Sequence, residues 1–372
     1  SYNTSVYPFG KTGTEQSALV SATLANPNIH WEQVAQTNIG FDAALFNQRA
    51  HLTFDYYIKN TTDMLVKASI PITSGFEDTS TTYTNAGKVR NTGFEVSLNT
   101  VNIQGPLQWE TGIVYTYNRN KIKSLNSDVP YYINQVNNSY VTMLANNLPI
   151  NVFYGYVTDG IFQNQQEIDA YAKQEVAGSD YVTRPGDIKY VNVNGDEVVN
   201  AGDMTYLGYG NVPEIVYGIN GSLAWKNFDL SFLFQGAAHA QVYLNGGVVM
   251  PYFNDGNLPQ FWVKEAWSEN NPGTRYPRLE QSTHNFPNTD FPPVQTYLYD
   301  ASYFRLKNIE VGYNFPRKWL SNLRLENVRV YVSGQNLFTI TDVPQIDPEN
   351  VNSQGWSYPQ MKSFNAGISI QF

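Results

Sequence analysis

The feature that most constrains this chain is a period-two alternation of apolar and polar residues, recurring in segments of about ten residues. Thr37 to Phe46 sets Ile39, Phe41, Ala43 and Leu45 against Asn38, Gly40 and Asp42. Arg49 to Asn60 sets Leu52, Phe54, Tyr56 and Ile58 against His51, Thr53, Asp55 and Lys59. Asn91 to Thr100, Leu107 to Asn118, Ile215 to Trp225, Phe228 to Gln235, Ser302 to Asn314 and Val328 to Phe338 repeat the pattern. Ser363 to Phe372 is the cleanest, with Phe364, Ala366, Ile368, Ile370 and Phe372 on one side. Successive side chains of a strand point to opposite faces, so each segment reads as a strand with one apolar and one polar face. Ten residues is also the length a tilted strand needs to cross a bilayer.

A soluble sandwich with one wet face would share this patterning. The connections separate the two. Short ones fall at Asn47-Gln48, Val101 to Pro106, Lys226-Asn227 and Phe315 to Asn327. Long ones fall at Thr61 to Arg90, Arg119 to Glu214, Gly236 to Ala301 and Thr339 to Lys362, so short and long alternate. Outer-membrane barrels have short periplasmic turns and long extracellular loops, whereas a sandwich has no reason to gather its long connections at one end. The expected fold class is therefore all-β, a portion of an antiparallel transmembrane β-barrel with long extracellular loops. A terminal strand ending on Phe372 places the short turns on the periplasmic side. Nine strands cannot close antiparallel, so the sheet is expected to be completed by residues outside this numbering.

Composition agrees. Charged residues are 15% and aromatics 15%, with 27 Tyr, so polarity rests on Asn, Thr, Ser, Gln and Tyr, and Tyr suits an interface that is apolar at one end and wet at the other. A net charge of −9 argues against nucleic acid as a partner. Without cysteine, no disulfide or thiolate metal site can form. No apolar run is long enough for a transmembrane helix. Arg305 and Lys307 share the face of Ile309 and Val311, where they are expected to reach the interface with their long stems. Asn164 to Glu175 and Pro259 to Trp267 read as helical within long loops.

Several phrases, in order along the chain, carry a resemblance. They are Asn26-Pro27-Asn28, Trp31-Glu32, Asn38-Ile39-Gly40-Phe41-Asp42, Asp63-Met64-Leu65 and Asn85-Ala86-Gly87-Lys88-Val89. Further on stand Gly160-Ile161-Phe162, Pro185-Gly186-Asp187-Ile188, Phe304-Arg305-Leu306-Lys307-Asn308, Gly334-Gln335-Asn336-Leu337-Phe338 and Asp347-Pro348-Glu349. Together they resemble the SusC/RagA type of TonB-dependent outer-membrane transporter. The resemblance implies a barrel of the roughly 22-stranded kind with a plug in its lumen. It implies active import of oligosaccharides or oligopeptides across the outer membrane of a Gram-negative bacterium. It also implies a SusD-like lipoprotein partner, and energy from TonB, ExbB and ExbD reached through an N-terminal part. Residues 1–372 would then be the C-terminal part of the barrel, without the plug and the first strands, in contact with outer-membrane lipid.

Asn192 to Asp203 resembles a calcium loop of the D-x-N-x-D type. Asn192, Asn194, Asp196, Asn200 and Asp203 stand at positions of oxygen ligands, and the Val198 carbonyl at a further one. Position one is Asn and position six is Glu197, which leaves two charged ligands. No cofactor is required by this reading, and Ca2+ in an extracellular loop is the one metal expected. His30, His51, His239 and His284 show no metal-ligand spacing, and no nucleophile elbow, P-loop or dinucleotide fingerprint is present, so no enzyme is expected. Loop aromatics that could stack on sugars are Tyr131, Tyr132, Tyr140, Phe153, Tyr154, Tyr252, Phe253, Phe261, Trp262 and Trp356; for any single one, ordinary packing of large loops or contact with a lid protein is the simpler reading. Asp42, Asp55, Lys59, Glu95, Glu110 and Asp229 would line the lumen. The alternative function is a soluble or surface-attached all-β glycan-binding module; an all-β hydrolase has no carboxylate pair to support it.

Overall fold

The structure is a computed structural model. It describes residues 2–9, 14–21, 25–69, 81–125, 131–136, 140–176, 181–253, 256–280, 285, 293–321, 325–350 and 355–372. Its main element is a nine-stranded sheet: β1 (Gln33–Leu45), β2 (Ala50–Ser69), β3 (Thr81–Ile103), β4 (Leu107–Ser124), β5 (Ile215–Trp225), β6 (Phe228–Ala238), β7 (Tyr303–Asn314), β8 (Asn327–Thr341) and β9 (Ser363–Gln371). The strands lie in chain order, each antiparallel to the next. All nine expected strands are present. A hairpin of Tyr2–Phe9 and Thr14–Ser21 forms a separate pair; Pro8, which removes a ladder donor, masks it in the sequence. No helix among the described residues is long and apolar enough to cross a membrane, which says nothing of strands.

The register carries the apolar residues across the sheet as one face. Phe41 pairs Phe54, Phe54 pairs Val96, and Val96 pairs Tyr115. Phe41, Phe54, Phe94 and Tyr115 stack in sequence at 5.6, 6.3 and 5.8 Å between ring centroids. On the same face at the other side of the sheet, Phe234 stacks on Phe304 at 5.1 Å. Phe46, Trp225, Phe228 and Trp319 are exposed at the end where the connections are short, as an interfacial aromatic belt requires. Bulky rings also cover glycines on the strand beside them. The Tyr57 ring lies over Gly93, Tyr217 over Gly236 and Tyr331 over Gly367, so tightly that a Cβ at any of the three would meet the tyrosine at under 3 Å. A glycine thus makes room for the ring that shields it.

Two strands differ from expectation. β2 and β3 run beyond the length needed to span a bilayer, so the connection read as Thr61 to Arg90 is largely strand. A register shift between Thr61 and Met64, with Asp63 at φ 60°, interrupts the regular ladder of this hairpin. Asn85 fastens it there, donating to the carbonyls of Asp63 and His30, both at 2.7 Å. The Asn85-Ala86-Gly87 phrase is thus the clamp between this hairpin and the 26–32 segment.

The second difference is a bulge at Lys307. Against β6, Leu306 pairs Phe234 and Asn308 pairs Leu233, so Lys307 is one extra residue. Against β8, Leu306 pairs Phe338 and Asn308 pairs Gln335, so β8 carries an extra residue of its own there, with Asn336 at φ 51°. One extra residue inverts the faces on either side of it. Phe304 and Leu306 therefore stay with Ile309 and Val311 on the apolar face, and Arg305 joins Asn308 and Glu310 on the polar face. The expectation that Arg305 snorkels from the apolar face is wrong for this reason.

The best-packed core lies outside the sheet, in the long connections 125–214, 239–302 and 342–362. Phe153, Tyr156, Ile188, Tyr190, Val199, Leu244, Val249, Trp262, Tyr276, Tyr297 and Val343 are all buried in one cluster. The first two connections interleave. Tyr156 and Gln295 exchange backbone bonds with each other's neighbourhood, Tyr156 N to Pro293 O at 2.9 Å and Gln295 N to Tyr156 O at 3.0 Å. Gly155 permits this approach, because a Cβ there would overlap the Pro293 carbonyl. The two stretches read as helical shorten to single turns, Gln165–Asp169, capped by the Asn164 side chain, and Trp262–Glu265.

Candidate functional site, a polar wall under a packed outer domain

The polar face carries the sheet's carboxylates and amides. Asp55 lies opposite Glu95, Glu110 opposite Ser222, and Asp229 opposite Gly312. A concavity of about 410 Å³ on this face is lined by His51, Asn99, Glu110, Asn220, Ser222, Ser231 and Asn308. Asp42, Asp55, Lys59, Glu95, Glu110 and Asp229 all share the polar phase, as the alternation requires. Some are already matched: Asp42 accepts from Thr53 Oγ1 at 2.6 Å. Asp229 accepts from Arg329 Nε at 3.2 Å and Asn314 Nδ2 at 2.8 Å, and Arg329 also reaches Glu310 at 2.7 Å. Arg329 has no signal in the sequence beyond its phase on β8.

Two of the phrases meet at one ion cluster. Arg305, 1% exposed, donates to Thr339 Oγ1 at 2.9 Å and to Asp347 at 2.6 Å, with Glu349 at 3.3 Å. Glu349 also accepts from Tyr303 OH at 2.8 Å and Gln235 at 2.6 Å. Asp347-Pro348-Glu349 is thus the acidic lock that fixes the β8–β9 connection onto the polar face.

Pro185-Gly186-Asp187-Ile188 builds a second hub. Asp187, 2% exposed, accepts from Tyr181 OH at 2.7 Å, Arg184 N at 2.8 Å, Arg278 Nε at 2.8 Å and Asn285 Nδ2 at 2.9 Å. Burial, then the hydrogen bond to Asp187, pushes the Tyr181 hydroxyl far above its ordinary value. Four donors on one carboxylate satisfy a buried charge, so the hub ties connections 125–214 and 239–302 together.

The calcium-like loop is a tight self-bonded turn. Asn192 Oδ1 accepts from Gly195 N at 2.7 Å, Asn194 Oδ1 from Asp196 N at 2.9 Å, Asp196 Oδ1 from Val198 N at 2.8 Å and Asn200 Oδ1 from Gly202 N at 2.7 Å. Asp203 is fully buried. Its Oδ1 takes Val193 N and Asn194 N, and its Oδ2 takes Asn200 N at 2.8 Å. The loop therefore brings the expected oxygens into one turn but satisfies them with its own N–H groups. No cluster of three His, Asp or Glu side chains fit to hold a metal occurs among the described residues.

Of the loop aromatics, Phe153, Tyr154 and Trp262 are buried core residues, and Trp262 Nε1 donates to Val249 O at 2.7 Å. Phe253 and Phe261 pack partly against that core. Tyr131, Tyr252 and Trp356 are exposed. The side chains of Tyr132, Tyr140 and His284 lie outside the described residues. A mouth pocket that the alternation did not reveal is formed where 149–151 and 209–214 fold over Asn91, Asn118 and Asn120. Its long-range partners, Glu214 and His239, leave no periodic trace.

A one-faced antiparallel sheet with an apolar aromatic exterior, a polar opposite face and a packed domain at its long-connection end defines the wall of an outer-membrane barrel. Residues 1–196 match the family described as TonB dependent receptor-like, beta-barrel, and the chain belongs to that family. It is similar to TonB-dependent receptor P26 of Formosa agariphila, 31% identical over 97% of this chain and 36% of that protein. It is also similar to TonB-dependent receptor SusC of Bacteroides thetaiotaomicron, 26% identical over 98% of this chain and 34% of that protein. The structure of the RagAB peptide transporter matches over 100% of this chain and 38% of that one, with TM-score 0.72 and 25% identity. The chain thus spans about a third of the length of these relatives. The SusC/RagA resemblance and the all-β barrel expectation are both borne out.

Proposed function

We propose that this chain forms part of the wall and outer mouth of an importer in the outer membrane of a Gram-negative bacterium. The importer takes up oligosaccharides or oligopeptides with a SusD-like surface lipoprotein and is driven through TonB, ExbB and ExbD. The observation that carries the proposal is the joining of a lipid-type aromatic face, a polar face and a structured outer domain in one sheet. Such a sheet leaves backbone groups unpaired at β1 and β9 unless further strands close it. The likeness to TonB-dependent receptor SusC supports the TonB coupling, and the likeness to the RagAB peptide transporter supports the oligopeptide class. The lipoprotein partner and the oligosaccharide class rest on the family resemblance of the phrases. The family it belongs to and the RagAB likeness support binding and gating as the work of this wall.

The test is purification of the native protein from its outer membrane in mild detergent, followed by mass spectrometry of the protein and its companions. A polypeptide much larger than this chain, accompanied by a lipoprotein, is expected. A free species of this chain alone, monodisperse without detergent, would overturn the proposal. We further infer that the Asn192–Asp203 loop takes calcium weakly, through Asn192, Asn194, Asp196, Asn200, Asp203 and the Val198 carbonyl. The turn geometry that gathers these oxygens supports it, and two charges with one buried carboxylate limit its strength.

A further inference from the structure

We infer that the mouth pocket is a subsite for a neutral sugar residue. The inference rests on the import reading for its place on the solute's path and narrows the substrate class to uncharged glycan. The pocket holds about 240 Å³ and sits at the long-connection end of the polar face, since Asn91 shares the phase of Glu95 on β3. Five asparagines line it: Asn91, Asn118, Asn120, Asn151 and Asn211. An amide both donates and accepts, which matches a hydroxyl that does the same. Asn120 spends its oxygen on Ile150 N at 2.6 Å, which leaves its NH2 to donate. Asn118 Oδ1 has no donor within hydrogen-bond distance.

The remaining wall is an aromatic platform. The Tyr209 and His239 rings stack at 4.8 Å with only 10° between their planes. Tyr209 is exposed, so one flat apolar surface with a polar tip remains open beside the amides. A sugar ring offers the complement, an apolar face of C–H groups edged by hydroxyls. Charge is absent in the net sense. Glu214 is the lone carboxylate of the lining, and it is held by Arg119 at 3.6 Å and His239 at 3.4 Å. No Lys or Arg lines the pocket. A carboxylate, of a peptide or of an acidic sugar, would meet no Lys or Arg, and an ammonium could reach only Glu214, which Arg119 already holds, whereas a neutral sugar needs neither. A few polar groups on an apolar floor fix orientation in this way in small-molecule sites.

The experiment uses the full-length protein with its partners in detergent, titrated calorimetrically with neutral oligosaccharides of the cello, malto, manno and xylo series and with uncharged oligopeptides. Uptake of the same labelled probes by cells is followed in parallel. Tyr209→Ala and Asn91→Ala are each expected to weaken binding of a neutral oligosaccharide at least tenfold. Tyr209→Phe, which keeps the platform, is expected to hold binding within threefold and to report that the fold survives. The inference is overturned if oligosaccharide binding is indifferent to Tyr209→Ala and Asn91→Ala, or if these changes weaken peptide binding instead. Site-dependent binding in the complex with no uptake of any probe would overturn the import reading and leave the subsite standing.

Discussion

Arg305 Nη2 and an Asp347 carboxylate oxygen lie 2.6 Å apart, joining β7 to a residue 42 positions later. The guanidinium is sealed from solvent, and a second carboxylate, Glu349, shares it. Removing one partner of a buried pair costs about 3–5 kcal/mol, because the other charge is left desolvated. Arg305→Leu strands two carboxylates and Asp347→Asn strands none, so the arginine change is expected to be the more damaging. Limited proteolysis of the intact complex is the readout: Arg305→Leu opens the β8–β9 connection to cleavage while the strands stay protected. Equal protection in both variants would mean that the connection is held by something else.

The nine strands were legible because each has one lipid-type and one polar face, and period two runs through each segment, broken in β7 at Lys307. The outer domain was not legible. Its core joins residues as distant as Tyr156 and Val294, and Tyr190 and Tyr297, with no period to announce them. For that reason Phe153 and Trp262 stand among the candidates for ligand stacking until their burial is seen. The face of Arg305 was misread because a bulge adds one residue without changing the local composition, and Lys307 looks like any other strand residue. The phrases told the family but not their work. Asn85 as a clamp, Asp187 as a hub and Asp347 as a lock emerge when the partners 20 to 100 residues away are brought together.

Alkali is expected to loosen the outer domain before the sheet. Tyr156, Tyr190, Tyr297 and Tyr299 are buried, and burial pushes each hydroxyl up, Tyr156 to about 12. Below pH 10 these groups are neutral folded or unfolded, and their contribution to stability is complete. Above pH 10 the unfolded chain ionises and the folded one does not. Stability is therefore lost as pH rises from 10 to 12, by about 1.4 kcal/mol per pH unit for each such tyrosine. Tyrosinate absorbance followed with proteolytic sensitivity should show ionisation coinciding with release of the 125–214 and 239–302 connections. Smooth titration with no release would contradict it.

The calcium effect is expected to be separable from loop stability at Asp196 but not at Asp203. Asp203 already serves three N–H groups, so Asp203→Asn removes acceptor capacity and destabilises the loop with or without the ion. Asp196 bonds only within its own turn and with Asn194 Nδ2 at 2.9 Å. Asp196→Asn is expected to abolish calcium-dependent protection while leaving the calcium-free loop nearly unchanged. At a hundredfold excess over Kd, an ion that binds only the folded loop adds about 2.7 kcal/mol. Thermal unfolding of the complex across a calcium titration reads this directly, and a midpoint that calcium does not move in the unaltered protein would remove the proposal.

Ile219 and Asn220 are neighbours on β5 that should respond oppositely to the same substitution. Ile219 pairs with Ile113 and Phe234 at mid-strand on the apolar face, while Asn220 pairs with Gly112 and Leu233 and lines the polar concavity. An arginine placed near the bilayer midplane on a barrel's lipid face costs about 2–4 kcal/mol, whereas a lumen position is wetted and tolerates it. Ile219→Arg is therefore expected to lower the folded fraction in lipid bilayers sharply, seen as loss of the heat-modifiable gel mobility of a folded barrel. Asn220→Arg should fold normally and alter which solutes pass, because its charge stands in the pathway. The reverse ranking would mean that the aromatic face looks inward, and would undo the assignment of lumen and lipid on which the import reading depends.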